Sequence, residues 1–304
     1  MPRDDIYKIE TNDKIKIDKK LIIILAIILV LILLILSMNN IIKIIKSGQV
    51  YREYEEQLIS LQKEEEKKKI AEEVEKERIR QSKIPKLTEL GRTNIDTIYK
   101  SDTKRAFLTF DDGPSSVTSQ ILDILKQENV KATFFVLGAK VKEKPEIVKR
   151  MYDEGHYIAN HGYSHSYSTI YASPQSVLDE FNQCNEAVKE AIGVPEYNSH
   201  LFRFPGGLVG GKYADIKSQA KQLLNENDIL NIDWNALTGD AETSKPTQEF
   251  EMQRLSQTVG DKNSVVILMH DAPAKKVTAD TLQQIIAYLR ERGYEFKNFY
   301  EIIK

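Results

Sequence analysis

Residues 21–38 read LIIILAIILVLILLILSM, and Ser37 is the only break in an otherwise apolar run. Eighteen residues of helix rise about 27 Å, close to the hydrocarbon thickness of a bilayer. A soluble core helix keeps a polar face, and this run has none. The pattern predicts a transmembrane helix over 21–38. The competing reading is a cleavable signal peptide. Against it, the run is long for such an apolar segment, and Asn39-Asn40-Ile41-Ile42 follows where an Ala-x-Ala-like site would stand.

Residues 39–83 are predicted as a charged helical stalk. Tyr51, Tyr54, Leu58 and Leu61 fit the alternating three-four spacing of a coiled-coil seam. The pattern fades in EEEKKK at 64–69, and Ile70 and Val74 resume it one step out of register. A weak homodimer through this seam is one reading; a single solvated helix acting as a spacer is the other. Pro85 ends the stalk, and 84–100 reads as a polar linker.

The period changes from residue 105. AFLTF, KATFFVL, HYIAN, HLFRF, ILNIDW, SVVILMH and YEFKNF are short apolar runs that read as strands. Helical spacing separates them, as in VTSQILDILKQEN, in PEIVKRMYDEG between Pro145 and Gly155, and from Pro174 to Ile192. Such alternation predicts an α/β domain over 101–304 with a largely parallel sheet. About seven strand-helix units in this length favour a small or incomplete (β/α) barrel over an open sheet.

Charge and cysteine content narrow the picture. The net charge of -2 over 304 residues gives no electrostatic case for nucleic acid. The single cysteine, Cys184, excludes an internal disulfide and any Cys-x-x-Cys site, and its helical neighbours Phe181 and Val188 make it a buried thiol. Arg3, Lys8, Lys14, Lys16, Lys19 and Lys20 precede the apolar run, and Lys43, Lys46 and Arg52 follow it. The positive-inside rule then puts residues 1–20 in the cytoplasm and the α/β domain outside.

In parallel α/β folds, chemistry collects at the carboxyl ends of strands. Those ends carry Asp111-Asp112, Asn160-His161, Arg203, Asp233 to Asp240, and His270-Asp271. His161 and His165 have i,i+4 spacing; on a helical turn two imidazoles so placed share one metal. A carboxylate would complete a three-ligand site for zinc, with cobalt, nickel or manganese as alternatives. A cation also explains why two aspartates stand side by side before Gly113-Pro114. One aspartate binds it, and the other stays an anion free to act as a general base.

TFDDGP, HGYSH, RFPGG and ILMH, in this order and spacing, resemble the polysaccharide deacetylase family, the NodB-homology or carbohydrate esterase family 4 domain, over about residues 100–304. The resemblance implies a distorted (β/α) barrel and metal-dependent removal of acetyl groups from sugars. It implies Asp111 as general base, with Asp112, His161 and His165 as metal ligands. Arg203 matches the arginine that holds the base, and Gly206 the backbone N–H that helps bind the oxyanion. Leu268 matches an apolar residue lining the acetyl pocket. His270 matches the general acid and Asp240 its partner carboxylate, with Asp233 the nearby alternative. The chain departs from the family pattern at Gly162, Leu237 and Ala241, and Trp234 is a candidate to supply missing aromatic surface. An anchored, outward-facing enzyme of this family points to peptidoglycan N-acetylglucosamine as substrate. N-acetylmuramic acid, another surface polysaccharide, or an inactive glycan-binding domain are the other readings.

Overall fold

The structure, a computed structural model, describes residues 19–304. Arg3, Lys8, Lys14 and Lys16, on which the orientation argument leans, lie outside the described residues. The chain divides into two compact units between Lys76 and Glu77. The apolar run and the charged stretch form one helix, α1 (Lys19–Ser82). Its apolar side chains from Ile22 to Ile45 are exposed, and it is long and apolar enough to cross a membrane. Tyr51, Tyr54, Leu58 and Leu61 are exposed along it as well.

The second unit, Glu77–Lys304, alternates helix and strand. It begins with α2 (Glu89–Asp96), β1 (Arg105–Asp111), α3 (Ser116–Gln127), β2 (Thr133–Val136), α4 (Gly138–Glu143), α5 (Pro145–Asp153) and β3 (Tyr157–Asn160). After α6 (Tyr167–Ile170) come α7 (Pro174–Ile192), β4 (Leu201–Phe202), α8 (Ala214–Glu226) and β5 (Leu230–Asn231). The chain ends with β6 (Ala236–Leu237), α9 (Gln248–Val259), β7 (Ser264–His270), α10 (Lys276–Glu291), β8 (Glu295–Phe296) and a 3-10 turn, Phe299–Glu301.

Among the described residues every strand pairing is parallel. The order is β5-β4-β3-β2-β1-β7-β6, with β8 beside Arg105 and Ala106 at the start of β1. β5 and β6 are the two ends of this order, so the curled sheet is an incomplete barrel, as expected. The ILNIDW run is strand only at Leu230–Asn231, because side chains take over its backbone beyond that point. Arg203 donates to the carbonyls of Ile232 and Asp233, at 3.0 and 3.1 Å. The Asn235 side chain accepts from Val266 N and donates to Ser264 O, both at 2.8 Å.

The two-residue period of the strands sorts the core into two sides. Ala106, Leu108 and Phe110 of β1 pack with Val265, Ile267 and Met269 of β7 and with the helices. Phe107, Phe135, Tyr157, Ala159, Leu201 and Val266 face inward. Residues 84–100, expected as a linker, pack into the core of the unit. Ile84, Ile95 and Ile98 are buried, and Ile95 and Ile98 join Phe299, Ile302 and Ile303 in the inner cluster. Thr88 caps α2 and its N–H donates to Ile303 O at 3.0 Å, while a Cβ on Gly91 would overlap the Ile303 backbone. The first helix of the unit and the end of the chain therefore close the barrel interior together. Phe107 and Phe299, stacked at 5.2 Å, are fully buried there. Each contributes about 1.5–3 kcal/mol of apolar burial.

Candidate active site

The inward positions climb each strand in steps of two and turn from apolar to polar at the carboxyl end. In β1 they run Phe107, Thr109, Asp111; in β7, Val266, Leu268, His270; in β4 and after it, Leu201, Arg203. Asp111 and His270 are register partners across β1 and β7. Arg203 is fully buried and spends its fork on this layer. Its Nη1 donates to Asp111 Oδ1 and Thr109 Oγ1, both at 2.8 Å. Asp111 Oδ2 remains turned toward His161 Nε2, 3.9 Å away.

Asp112, His161 and His165 bring their ligand atoms within 4.8 Å of one another. Asp112 Oδ1 lies 3.6 Å from His161 Nε2 and 3.3 Å from His165 Nε2. Ligand atoms around a tetrahedral ion with bonds of about 2.1 Å stand roughly 3.4 Å apart, so the spacing suits one ion. Asp112 Oδ1 is also buried without a hydrogen-bond partner, an arrangement a cation would satisfy. His161 Nδ1 donates to Arg203 O at 2.7 Å, which fixes the ring and leaves the Nε2 lone pair on the cluster.

The two histidines do not sit on a helical turn. Residues 161–165 form a loop, with Gly162 at φ 90° and His165 at φ 55°. Glu180 on α7 holds this loop: its Oε2 accepts from Tyr163 N at 2.6 Å and Ser164 N at 2.7 Å. Asp112 also has positive φ, 77°. A non-glycine residue there costs of order 1–3 kcal/mol, so two of the three candidate ligands are held in strained backbone. Gly113 is required by close approach, since a Cβ would overlap the Asp271 carboxylate. Asp271 is pinned in turn by Thr118 Oγ1, which donates to its Oδ2 at 2.6 Å.

Glu180 and Asp271 carry no role in the sequence reading. Glu180 had a usable signal: it shares the apolar stripe Val177, Phe181 and Cys184 of α7, an odd place for a carboxylate. Cys184 is buried as expected, with its Sγ 3.4 Å from Val136 O, and burial raises its pKa.

Asp240, not Asp233, partners His270. Asp240 Oδ1 meets His270 Nδ1 and its Oδ2 accepts from His270 N, both at 2.8 Å. Asp233 Oδ2 instead accepts from Leu208 N at 3.1 Å. Leu268 is almost buried on the inner face, two residues before His270. Gly206 is exposed at φ 76°, and a Cβ there would come within 2.6 Å of Tyr167 Oη. Trp234 is half-buried, 5.8 Å from the Arg203 guanidinium.

Residues 99–224 match the family profile described as polysaccharide deacetylase. The chain is 33% identical over 223 residues to a peptidoglycan-N-acetylglucosamine deacetylase of Bacillus cereus, covering 72% of this chain and 78% of that one. The chain belongs to the polysaccharide deacetylase family. Its fold matches that of the catalytic domain of a peptidoglycan N-acetylglucosamine deacetylase from Eubacterium rectale, with TM-score 0.60 and 32% identity over 66% of this chain and 90% of that one. A Streptococcus mutans CE4 esterase matches with TM-score 0.62 and 31% identity, over 70% and 92% respectively.

Deacetylases of this family are metal-dependent, and the Asp112, His161 and His165 cluster fits an ion. Burial lowers the His161 pKa to about 3, against the opposing pull of Asp112, so the ring is neutral and able to ligate. Burial also raises the Asp111 pKa, while Arg203 and His270 oppose it. At His270, burial favours the neutral ring, but the Asp240 hydrogen bond and charge, with Asp111 and Asp112, prevail and raise its pKa to about 9. In this deacetylase the two register partners are therefore a carboxyl group held by Arg203 and an imidazole whose proton is held by Asp240.

Proposed function

We propose that the chain hydrolyses N-acetyl groups of cell-wall glycan, at N-acetylglucosamine residues of peptidoglycan. The observation that carries this reading is the pairing of Asp111 with His270 across β1 and β7, beside the Asp112, His161 and His165 cluster. The curated relative from Bacillus cereus, named for that activity, supplies the sugar.

Amide hydrolysis needs an activated nucleophile, a stabilised oxyanion and a protonated leaving group. When bound, a divalent cation, zinc by the ligand set, supplies Lewis acidity toward water and the acetyl carbonyl. Arg203 occupies Asp111 Oδ1, so Oδ2 is the oxygen that takes the proton from the attacking water. The Gly206 N–H, on an exposed turn, donates to the oxyanion. His270, bonded to Asp240 through Nδ1, gives its Nε2 proton to the amine as the C–N bond breaks, releasing acetate. Leu268 provides an apolar wall for the acetyl methyl, and Trp234 a flat surface beside the sugar.

Lys19 and Lys20 at the start of α1, with the lysines before them, support a cytoplasmic N-terminus. Helix α1 then anchors the protein and the unit from Glu77 onward works outside, where peptidoglycan lies. The test is to incubate residues 77–304 and zinc with purified peptidoglycan and to read muropeptide masses. Loss of one acetyl group from glucosamine is expected. Loss from muramic acid alone would reassign the sugar, and no loss from any acetylated glycan would refute the activity.

A further inference from the structure

Helix α9 carries a carboxyl group that the reaction just described does not use. Glu251 is fully buried on an apolar stripe with Leu255 and Val259. Its Oε1 lies 3.2 Å from Thr278 Oγ1 on α10, and its Oε2 has no partner. Thr278 Oγ1 is also 3.1 Å from Asp240 Oδ2, the carboxylate that holds His270.

A hydroxyl has one proton to give, and Thr278 stands between two carboxyl groups. If both were ionised, one would lose its donor and two like charges would face each other in a dry site. The contacts close when one carboxyl is a neutral acid. The proton belongs on Glu251, because Asp240 faces the His270 ring and backbone N–H, and the Lys275 ammonium lies close by on its carbonyl at 2.8 Å. Glu251 O–H then donates to Thr278 Oγ1, and Thr278 O–H donates to Asp240 Oδ2. The unpartnered Oε2 becomes a carbonyl oxygen, far cheaper to bury than a carboxylate oxygen.

We propose that Glu251 is a positioning residue for the deacetylation: as a neutral acid it ends a relay, Glu251–Thr278–Asp240–His270, that keeps the Asp240 side chain aimed at the imidazole. The inference rests on His270 being the acid of the proposed reaction. The groups facing Glu251 are Asp240 from the segment after β6, and Lys275, Thr278 and Thr281 from α10 and its start. Burial, then Asp240, raise its pKa to about 7, while the two threonines and Lys275 oppose them.

Three variants test the relay. Glu251→Gln is neutral at every pH and can still donate to Thr278. In the wild type the folded state binds more protons than the unfolded state between pH 4.5 and about 7. Wild-type stability therefore falls as pH rises through that window, and the Gln variant lacks this loss. The melting temperature of Glu251→Gln minus that of wild type should become more positive from pH 4.5 to 7.5. Glu251→Leu frees Thr278 to turn toward its own helix backbone, and kcat should drop about 10- to 100-fold with KM and metal content unchanged. Glu251→Gln should rescue kcat, and Glu251→Leu in a Thr278→Val background should cost nothing further.

A constant melting difference across pH, or additive losses in the double variant, would overturn the relay. An inactive wild type would sink the proposed function instead, leaving the melting comparison to decide the protonation of Glu251 by itself.

Discussion

Arg203 Nη1 and Asp111 Oδ1 meet at 2.8 Å, with the arginine fully buried and the aspartate almost so. Removing the guanidinium leaves the Asp111 carboxyl group buried without its partner, whereas Arg203 also donates to Thr109 Oγ1 and to the carbonyls of Ile232 and Asp233. Arg203→Met should therefore cost roughly 3–5 kcal/mol of stability, read from denaturant melts. Asp111→Asn keeps hydrogen-bonding capacity and removes the base. It should fold, hold metal as the wild type does, and lose about 10²- to 10⁴-fold in turnover. Metal loss in Asp111→Asn would show that both aspartates are ligands.

The division of labour between neighbours predicts the opposite outcome one residue on. Asp112→Asn and His161→Ala each remove one of three ligand groups, so bound zinc, measured by elemental analysis after dialysis, should fall in both. Chelation of the wild type should abolish activity, and added divalent ions should restore it. Full activity in metal-free protein would leave the buried Asp112 Oδ1 without a cation to satisfy it.

The alkaline limb of the pH–rate profile should report His270. Its folded pKa of about 9 lies above the ordinary value of 6.5. The stabilisation from the His270–Asp240 pair is thus complete below pH 6.5 and is lost as pH rises through 9. The imidazolium needed to protonate the amine disappears over the same range. Asp240→Asn removes the anion and should move the limb down by about 1–3 pH units. An unmoved limb would assign it to another group.

The sequence makes the upper layer of the site legible because strand ends and motif spacing are local. Asp111, Asp112, His161, Arg203 and His270 fall where apolar runs stop, His165 follows four residues after His161, and the fold brings those ends to one mouth. What supports that layer comes from elsewhere in the chain. Glu180 reaches the ligand loop from α7, and Asp271 wedges under Gly113 from the end of β7. Such contacts depend on how elements pack, and only a carboxylate on an apolar helix stripe hints at them, as at Glu180 and Glu251. The polar segment 84–100 misleads for a related reason: its three buried isoleucines are spaced too widely to read as an element, and Ile95 and Ile98 pack with Ile302 and Ile303 some two hundred residues away. His161 and His165 converge through a loop with left-handed residues, so their spacing points to a shared ion for a reason other than helical geometry.

The same burial decides where the unit that begins at Glu77 can be cut free of the apolar part of α1. Ile84 is buried, Tyr152 Oη donates to Arg80 O at 3.4 Å, and Arg80 pairs with Glu196, all within the unit that begins at Glu77. A fragment starting at residue 84 would lose both Arg80 contacts and leave Ile84 at a free end, whereas one starting near 77 keeps them. Protease added to intact, wall-stripped cells should therefore cut in the exposed charged stretch before Glu77. It should release a soluble, active fragment, since every candidate ligand and acid–base group lies at or beyond Asp111. N-terminal sequencing of the fragment and an assay of the supernatant check both points. Protection of the unit until the membrane is lysed would place it on the cytoplasmic side. Peptidoglycan would then be out of its reach.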